Sequence, residues 1–293
     1  MDLTKPSELK RLLAAHNLHL SKRFGQNFLV DRAHLMRVVD TANIGPSDDV
    51  LEIGPGVGTL TVELAQRARS VIAVELDRTV LPALRDVTAL FPNVEVIEGD
   101  ALKLDLPQVL GVKWDGRVGK VAANIPYNIT SPLVVQFLEA KGLFTSITLM
   151  VQKEVADRLR ARPATEDYGS LSVFAQYYSE VSVAGIVPRG AFFPPPKVDS
   201  AIVHLVPRLI PPVSAPSDAT FLAISRAAFG QRRKTLSNAL TNAPTLHFDK
   251  AQVDAALARA DVDGQRRGET LTLEEIAAIS RALFDKSVSP AIQ

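Results

Sequence analysis

Residues 50–58 read VLEIGPGVG, a short apolar run that ends in three glycines, each separated by one residue. Apolar residues at helical spacing follow at once, in residues 60–65. A buried strand, a glycine-rich turn and a helix are typical of the first unit of an open α/β sheet. Glycine permits the sharp turn and lets a ligand approach the backbone without a Cβ atom in the way. The alternative is a tight turn with a purely structural role.

The same alternation of short apolar runs and helical patterns continues to residue 151. The further runs occupy residues 71–74, 94–97, 119–123 and 146–151. This pattern predicts βαβ units and a parallel sheet with helices on both faces, which is the doubly wound α/β class. A proline-rich connector begins near residue 207 and leads into three helical patterns. We therefore predict a first domain at residues 1–207 and a smaller all-helical domain at residues 208–293.

A glycine turn, two carboxylates and an amide mark four of the predicted strand ends, at Gly54, Glu75, Asp100 and Asn124. In an open α/β sheet these ends lie along one edge, where such folds bind ligands. A carboxylate at Glu75 can accept hydrogen bonds from both ribose hydroxyls, and one at Asp100 can accept from an adenine amino group. Either acid alone could be a solvated residue at a strand end, but the two together favour a nucleoside site.

The spacing of the glycines separates two nucleotide-binding classes. It is G-x-G-x-G here, whereas dinucleotide sites carry G-x-G-x-x-G. The pattern resembles the class I methyltransferases that use S-adenosylmethionine, and it disfavours a dehydrogenase. We therefore expect a Rossmann-like methyltransferase sheet with S-adenosylmethionine as the cofactor.

The fourth strand end carries the tetrapeptide Asn124-Ile125-Pro126-Tyr127. It matches the (Asn/Asp)-apolar-Pro-(Tyr/Phe) signature of methyltransferases that act on nucleobase amino groups. The N6 lone pair of adenine is delocalised into the ring, so this amine is a poor nucleophile. We predict that the Asn124 side-chain carbonyl and the Pro126 backbone carbonyl hold its N–H groups, and that Tyr127 stacks on the base. The alternative is a proline turn in which Tyr127 is packed and Asn124 caps the next helix.

Composition argues against several other classes of protein. The chain has no cysteine, and its five histidines show no metal-ligand spacing, so we predict neither thiolate chemistry nor a metal site. Residues 1–6 do not resemble a secretory signal, and no apolar stretch approaches the length of a membrane helix, so we expect a cytoplasmic protein. A net charge of +1 excludes a uniformly basic nucleic-acid binder but allows a basic face.

Over nearly its whole length the chain resembles the ribosomal small-subunit RNA adenine dimethyltransferase family. Besides the motifs above, the resemblance rests on residues 22–29 (KRFGQNFL), 187–192, 194–200 (PPPKVDS) and 229–234 (FGQRRK). It implies an enzyme that dimethylates the N6 amines of two adjacent adenines. These adenines lie in a hairpin near the 3′ end of small-subunit (16S) ribosomal RNA, and the reaction accompanies late assembly. The implied partner is the immature small subunit, and we expect a monomer.

The resemblance also implies roles for individual residues. It assigns Phe192 to stack on the target base opposite Tyr127, with Phe193 as an alternative. The residues implied to contact the cofactor are Asn27, Leu29, Gly54, Gly56, Gly58, Glu75, Asp100 and Asn124. The candidate phosphate contacts, which would position RNA without reading its sequence, are Lys22, Arg23, Arg158, Arg160, Arg162, Arg232, Arg233 and Lys234.

Two rival functions remain open. Erythromycin-resistance methyltransferases share the Asn-apolar-Pro-Tyr site and act on large-subunit RNA, although the segments 194–200 and 229–234 favour the small-subunit family. A non-catalytic RNA-binding assembly or transcription factor could also use this fold. The intact motifs at residues 54–58 and 124–127 argue against that second rival.

Overall fold

The computed structural model describes residues 1–18, 27–231 and 233–284. The chain divides into two compact units. The first contains residues 1–156 and 179–209, and the second contains residues 157–178 and those from 210 onward.

The first unit is built around a mixed β-sheet. In chain order, the strands of the described residues are β1 Phe28–Leu29, β2 Asp49–Ile53, β3 Ser70–Glu75, β4 Val94–Glu98, β5 Gly119–Asn124, β6 Phe144–Gln152, β7 Ser179–Val187, β8 Phe192–Phe193 and β9 Ser200–Pro207. The main sheet has the order β4-β3-β2-β5-β6-β9-β7, and β1 pairs separately with β8. Strands β2 to β6 are parallel, which confirms the predicted α/β class, whereas β9 and β7 extend the sheet antiparallel.

Helices connect the parallel strands, as the sequence pattern predicts. Along the described chain the α-helices are α1 Pro6–Ala15, α2 Arg32–Ala42, α3 Thr59–Ala65, α4 Leu81–Thr88, α5 Leu106–Lys113, α6 Thr130–Glu139, α7 Lys153–Arg160, α8 Ser170–Tyr178, α9 Asp218–Gly230, α10 Leu236–Thr241, α11 Lys250–Arg259 and α12 Leu273–Phe284. Several starts follow local signals: the Asp31 and Asp105 side chains accept backbone N–H bonds that cap α2 and α5.

The strand order reverses between β2 and β5. From β2 the chain builds outward to β3 and β4 on one side, and then returns to place β5 and β6 on the other side. Loops after β2 and β5 therefore diverge and leave a crevice at the carboxyl ends of these strands. Beneath the crevice the central strands are largely buried, with Val50, Val71, Ala122 and Met150 in one apolar cluster. This packing gives the strand ends a rigid base.

The second unit is helical, and it includes a segment that the sequence analysis assigned to the first domain. Residues 157–178 group with the later helices because their side chains form hydrogen bonds with residues of that later part of the chain. The hydroxyls of Tyr177 and Tyr178 donate to the Asp218 carboxylate at 2.8 and 3.3 Å. The Tyr168 hydroxyl donates to the Leu271 carbonyl at 2.9 Å. The predicted boundary at residues 207/208 lies two residues from the observed one, but the predicted first domain includes this inserted segment.

Within the described ranges, no helix is both long and apolar enough to cross a bilayer. Across the same ranges, His, Asp and Glu side chains form no group of three arranged to hold a metal ion.

Candidate active site

A cleft opens in the first unit at the carboxyl ends of the parallel strands. Its walls are formed by the segments 27–29, 52–56, 74–76, 99–101 and 124–129, together with Leu35, Val38, Thr59, Leu60 and Met150. Most of the predicted site residues line it: Asn27, Leu29, Gly54, Gly56, Glu75, Asp100, Asn124, Pro126 and Tyr127. Two predicted residues, Gly58 and Phe192, do not.

The glycine turn after β2 fits closely between its neighbours. Gly54 and Gly56 have φ angles of +69° and +58°, which side chains rarely adopt. A Cβ atom on Gly54 would lie 3.1 Å from the Pro126 ring, and one on Gly56 would lie 2.8 Å from the Phe28 ring. Glycine is therefore required at both positions, and the backbone of the turn forms part of the cleft wall.

The third glycine, Gly58, has a different role. It precedes α3 with a φ angle of +93°, and a Cβ atom there would lie 3.1 Å from the side chains of Leu84 and Val87. Close packing of the turn against α4 explains this glycine. A contact between Gly58 and the cofactor remains a prediction.

Glu75, at the end of β3, is held by the glycine turn and by its own loop. One carboxylate oxygen accepts the Gly56 N–H at 3.0 Å, and the other accepts the Asp77 N–H at 2.8 Å. Burial raises the pKa of Glu75, whereas these backbone bonds lower it. Each carboxylate oxygen has a further lone pair. Glu75 can therefore accept two further hydrogen bonds, and its predicted role towards the ribose hydroxyls remains a prediction.

Asp100 lies at the next position along the same edge, just after β4. Its side chain accepts the Leu102 N–H at 3.1 Å, which fixes it at the start of a short 3₁₀ turn. The Lys103 ammonium lies 3.8 Å from its other oxygen. The side chain is 29% exposed, so it can accept a hydrogen bond from a ligand in the cleft.

Glu52, near the end of β2, was quoted in the sequence motif but given no role. It is 1% exposed and lines the cleft. Among the described atoms, neither its Oε2 nor the Oγ1 of the neighbouring Thr59 has a hydrogen-bond partner. Burial raises the pKa of Glu52 to about 8, and the Glu75 carboxylate adds to the effect. Buried polar atoms without partners are costly, and these two line the cleft, so a polar or cationic group of a ligand could pair with them.

Asn124 ends β5 with its amide oriented by the segment opposite. Its Nδ2 donates to the backbone carbonyl of Asn27 at 3.3 Å. That bond assigns the amide nitrogen to the Asn27 side and leaves Oδ1 as the acceptor for a ligand. The arrangement is the one that the amine-acceptor hypothesis needs, and the alternative role as a helix cap is not used, because α6 begins at Thr130 without a side-chain cap.

Pro126 lines the cleft, but its carbonyl is already engaged. It accepts the Ile129 N–H at 3.2 Å and the Thr130 hydroxyl at 3.4 Å. A carbonyl oxygen has two lone pairs, so a target amine would have to displace the longer of these bonds. The acceptor role of Pro126 remains a prediction, while its ring has the structural role of packing against Gly54.

The two aromatic residues assigned to the target base are placed differently. Tyr127 lines the cleft, and its hydroxyl bonds with the Ser200 hydroxyl at 2.8 Å. Phe192 is 3% exposed and packs behind the cleft wall with Leu29 and Met150. Stacking on a base would require that ring to be uncovered. Phe193 is only partly buried, and the Lys10 ammonium lies 5.2 Å from its ring centroid.

None of the basic candidates among the described residues lines the cleft. Lys22, Arg23 and Arg232 lie outside the described residues. The others belong to the second unit, and they are Arg158, Arg160, Arg162, Arg233 and Lys234. Arg160 bonds to the Asp157 carboxylate at 2.8 Å. Contact with RNA phosphates remains a prediction for all of them.

Comparison with known proteins identifies the family. The model of the ribosomal RNA adenine dimethylase family matches residues 17–279. The chain belongs to this family. A ribosomal RNA small subunit methyltransferase A from Alkaliphilus oremlandii is 44% identical over 97% of this chain and 99% of its own length. One from a Geobacillus species is 42% identical over 96% and 98%.

Two solved structures share the fold of this family member. A dimethyladenosine transferase from Plasmodium falciparum has a TM-score of 0.72 and 28% identity, covering 86% of this chain and 95% of its own. The 23S rRNA methyltransferase ErmE has a TM-score of 0.67 and 32% identity, covering 88% and 99%. Both likenesses support the Rossmann-like methyltransferase sheet predicted from the sequence.

The dimethylase uses S-adenosylmethionine, and the residues of the cleft fit this cofactor. The glycine turn provides a wall that any Cβ atom would obstruct. Glu75 and Asp100 would provide acceptors for the cofactor's ribose and adenine groups, and Glu52 would provide a buried carboxyl group for its cationic part. S-adenosylmethionine has all of these groups.

The affinity of the dimethylase for S-adenosylmethionine should increase between about pH 6 and about pH 8. Glu52 is protonated in the free cleft below its raised pKa of about 8, whereas a cationic ligand favours the carboxylate. Binding then releases a proton, so the Kd should fall by up to about tenfold per pH unit below that pKa. Isothermal titration calorimetry in buffers of different ionisation enthalpy measures both the Kd and the number of protons released on binding.

Glu52→Gln should reduce this pH dependence and the number of protons released. Glu98→Gln is the matched control, because Glu98 is an exposed carboxylate at the end of β4 that pairs with Arg78. If the Kd of Glu52→Gln depends on pH as steeply as that of the wild type, another group titrates on binding.

Proposed function

We propose that this enzyme dimethylates the N6 amines of two adjacent adenines in the 3′-terminal hairpin of small-subunit (16S) ribosomal RNA. The methyl donor is S-adenosylmethionine. The observation that carries the proposal is the Asn124 amide, which the Asn27 carbonyl orients at the same sheet edge as Glu75 and Asp100. This arrangement supports an amine acceptor directly beside a nucleoside cofactor.

The reaction needs little acid–base chemistry from the protein. The bound cofactor supplies the methyl group and its leaving group. Asn124 Oδ1 accepts one N–H of the adenine amine and favours a nitrogen lone pair directed at the methyl carbon. After attack the nitrogen is cationic and strongly acidic, so water can take its proton. Rate enhancement then comes mainly from positioning.

The target base must leave its stack before it can enter the cleft. A stacked adenine cannot present its N6 to a methyl donor bound in the cleft, so the base would be flipped or would come from a single-stranded loop. Tyr127 provides the stacking surface that we propose for it, with a contribution of about 1–3 kcal/mol per base. Phe192 is proposed as a second wall only if its ring is uncovered on RNA binding.

A specific comparison favours the small subunit over the large one. The small-subunit methyltransferases are 42–44% identical to this chain, whereas ErmE, a 23S rRNA methyltransferase, is 32% identical. Incubation with methyl-labelled S-adenosylmethionine and a mixture of both immature particles, followed by gradient separation, tests this choice. We expect label in the small particle. Label confined to the large particle would support the erythromycin-resistance type instead.

We further propose that the enzyme acts as a monomer on the immature small subunit in the cytoplasm. The second unit carries Arg158, Arg162, Arg233 and Lys234, and these basic side chains support a role in RNA binding. Sedimentation of the free enzyme measures its oligomeric state. Sedimentation of the complex measures how many enzyme molecules bind each particle.

A further inference from the structure

The Tyr127 side chain is fixed at both of its ends. Its backbone follows Pro126 in a short 3₁₀ turn after β5. Its hydroxyl bonds with the Ser200 hydroxyl at 2.8 Å, across a sequence separation of 73 residues. Between these two points the ring lies in the cleft wall. The orientation of the ring therefore depends on where Ser200 is held.

Ser200 is held firmly. It is fully buried and begins β9, where it pairs with Gln152 of β6 on one side and with Val187 of β7 on the other. The preceding residue, Asp199, is anchored twice. Its carboxylate accepts the Arg189 N–H at 2.9 Å, and its backbone carbonyl accepts the Lys153 N–H at 3.0 Å. The Ser200 hydroxyl is thus a fixed point beside the cleft.

The chemistry of the pair suits a lasting hydrogen bond. Burial raises the pKa of Tyr127 above its usual range, so the phenol stays neutral over the pH range of an intracellular reaction. A neutral phenol and a serine hydroxyl can each donate or accept. The phenol oxygen lies on the rotation axis of the ring, so fixing it restricts the first side-chain torsion and sets where the ring lies. The phenol O–H is conjugated with the ring and prefers to lie in its plane, so the bond to Ser200 also favours one ring plane.

We propose that Ser200 is a positioning residue, which fixes the position of the Tyr127 ring in the cleft wall and so presents a preformed stacking surface to the flipped adenine. The inference rests on the proposed function, in which Tyr127 stacks on that base. It also assigns a role to the last residue of the segment PPPKVDS, which so far contributes only to the family resemblance. Without the bond, the ring would have to be ordered by each incoming base.

A double-mutant cycle with Ser200→Ala and Tyr127→Phe tests this proposal. Each change removes one hydroxyl and leaves the aromatic ring in place. We expect each single variant to lose about threefold to tenfold in kcat/KM for the RNA particle, the range for one neutral hydrogen bond. The double variant should be no worse than either single one, because both remove the same bond. The Kd for S-adenosylmethionine should stay unchanged in all three.

Fluorescence provides a readout that a general loss of stability would not change in the same way. 2-Aminopurine is a fluorescent base that can replace a target adenine. When the flipped 2-aminopurine stacks on Tyr127, its fluorescence should be quenched. We expect weaker quenching in Ser200→Ala and Tyr127→Phe alike. Ser146→Ala is the matched control, since Ser146 is a buried serine of β6 that does not line the cleft; it should retain wild-type kcat/KM and quenching.

The possible results distinguish a failure of the proposed function from a failure of the role proposed for Ser200. If the wild-type enzyme makes no dimethyladenosine, the proposed function is wrong. If it does and the losses in the cycle are additive, or if Tyr127→Phe has wild-type activity and quenching, the positioning role of Ser200 is wrong. Should Ser200→Ala fold poorly, Tyr127→Phe alone still decides the point, because it removes the bond from the other side.

Discussion

Replacing Asn124 with alanine should lower the rate of methyl transfer by about 100-fold or more while leaving binding to the ribosomal particle largely intact. The substitution removes the Oδ1 acceptor that holds the adenine amine, and a misplacement of about 1 Å at the reacting atoms can cost that much. Single-turnover kinetics with saturating particle and S-adenosylmethionine measure the chemical step. Sedimentation measures binding to the particle.

Asn124→Asp is the informative companion variant. It keeps an oxygen acceptor but loses the Nδ2 group that donates to the Asn27 carbonyl. We expect a rate between those of the wild type and Asn124→Ala. If transfer survives Asn124→Ala at the wild-type rate, the amine-acceptor account is wrong. If both variants and the wild type are inactive but bind the particle, the chain is a non-catalytic binding factor.

Glu75→Ala should raise the Kd for S-adenosylmethionine by about 100-fold or more. The variant loses the two carboxylate acceptors proposed for the ribose hydroxyls, and hydrogen bonds to a charged group contribute about 1.5–3 kcal/mol each. It also leaves the N–H groups of Gly56 and Asp77 without their acceptors, which loosens the glycine turn. Calorimetric titration measures the affinity.

The control for this variant is Glu98→Ala. Glu98 is the β4 partner of Glu75 in the sheet register, but it is exposed and pairs with Arg78. The Glu98→Ala variant should bind S-adenosylmethionine with the affinity of the wild type. Thermal unfolding of both variants without cofactor separates a loss of binding from a loss of fold. Equal affinities for Glu75→Ala and Glu98→Ala would contradict the ribose role of Glu75.

The sequence predicted the parallel part of the sheet because its signals are local. Each buried parallel strand is a short apolar run, and each ends at a polar residue whose position in the chain is visible without any tertiary information. Gly54, Glu75, Asp100 and Asn124 could therefore be placed on one edge in advance. The antiparallel strands β7 and β9 were not predicted. β7 is a partly buried edge strand, so it lacks the continuous apolar run that marks the buried parallel strands.

Features that depend on long-range partners were beyond the sequence patterns. The acid Glu52 stands out in an apolar strand, but only the structure shows that its Oε2 is buried and unpaired among the described residues. The engagement of the Pro126 carbonyl and the burial of Phe192 are also tertiary facts. Residues 157–178 join the second unit through Tyr168 and Tyr177, whose partners lie about 40 to about 100 residues further along.

The most direct test of the account is mass spectrometry of nucleosides from immature small ribosomal subunits incubated with the enzyme and S-adenosylmethionine. We predict N6,N6-dimethyladenosine at two adjacent positions in the 3′-terminal hairpin, and none when Asn124→Ala is used. Small-subunit RNA that contains no dimethyladenosine after incubation with folded, cofactor-binding enzyme would contradict the central claim.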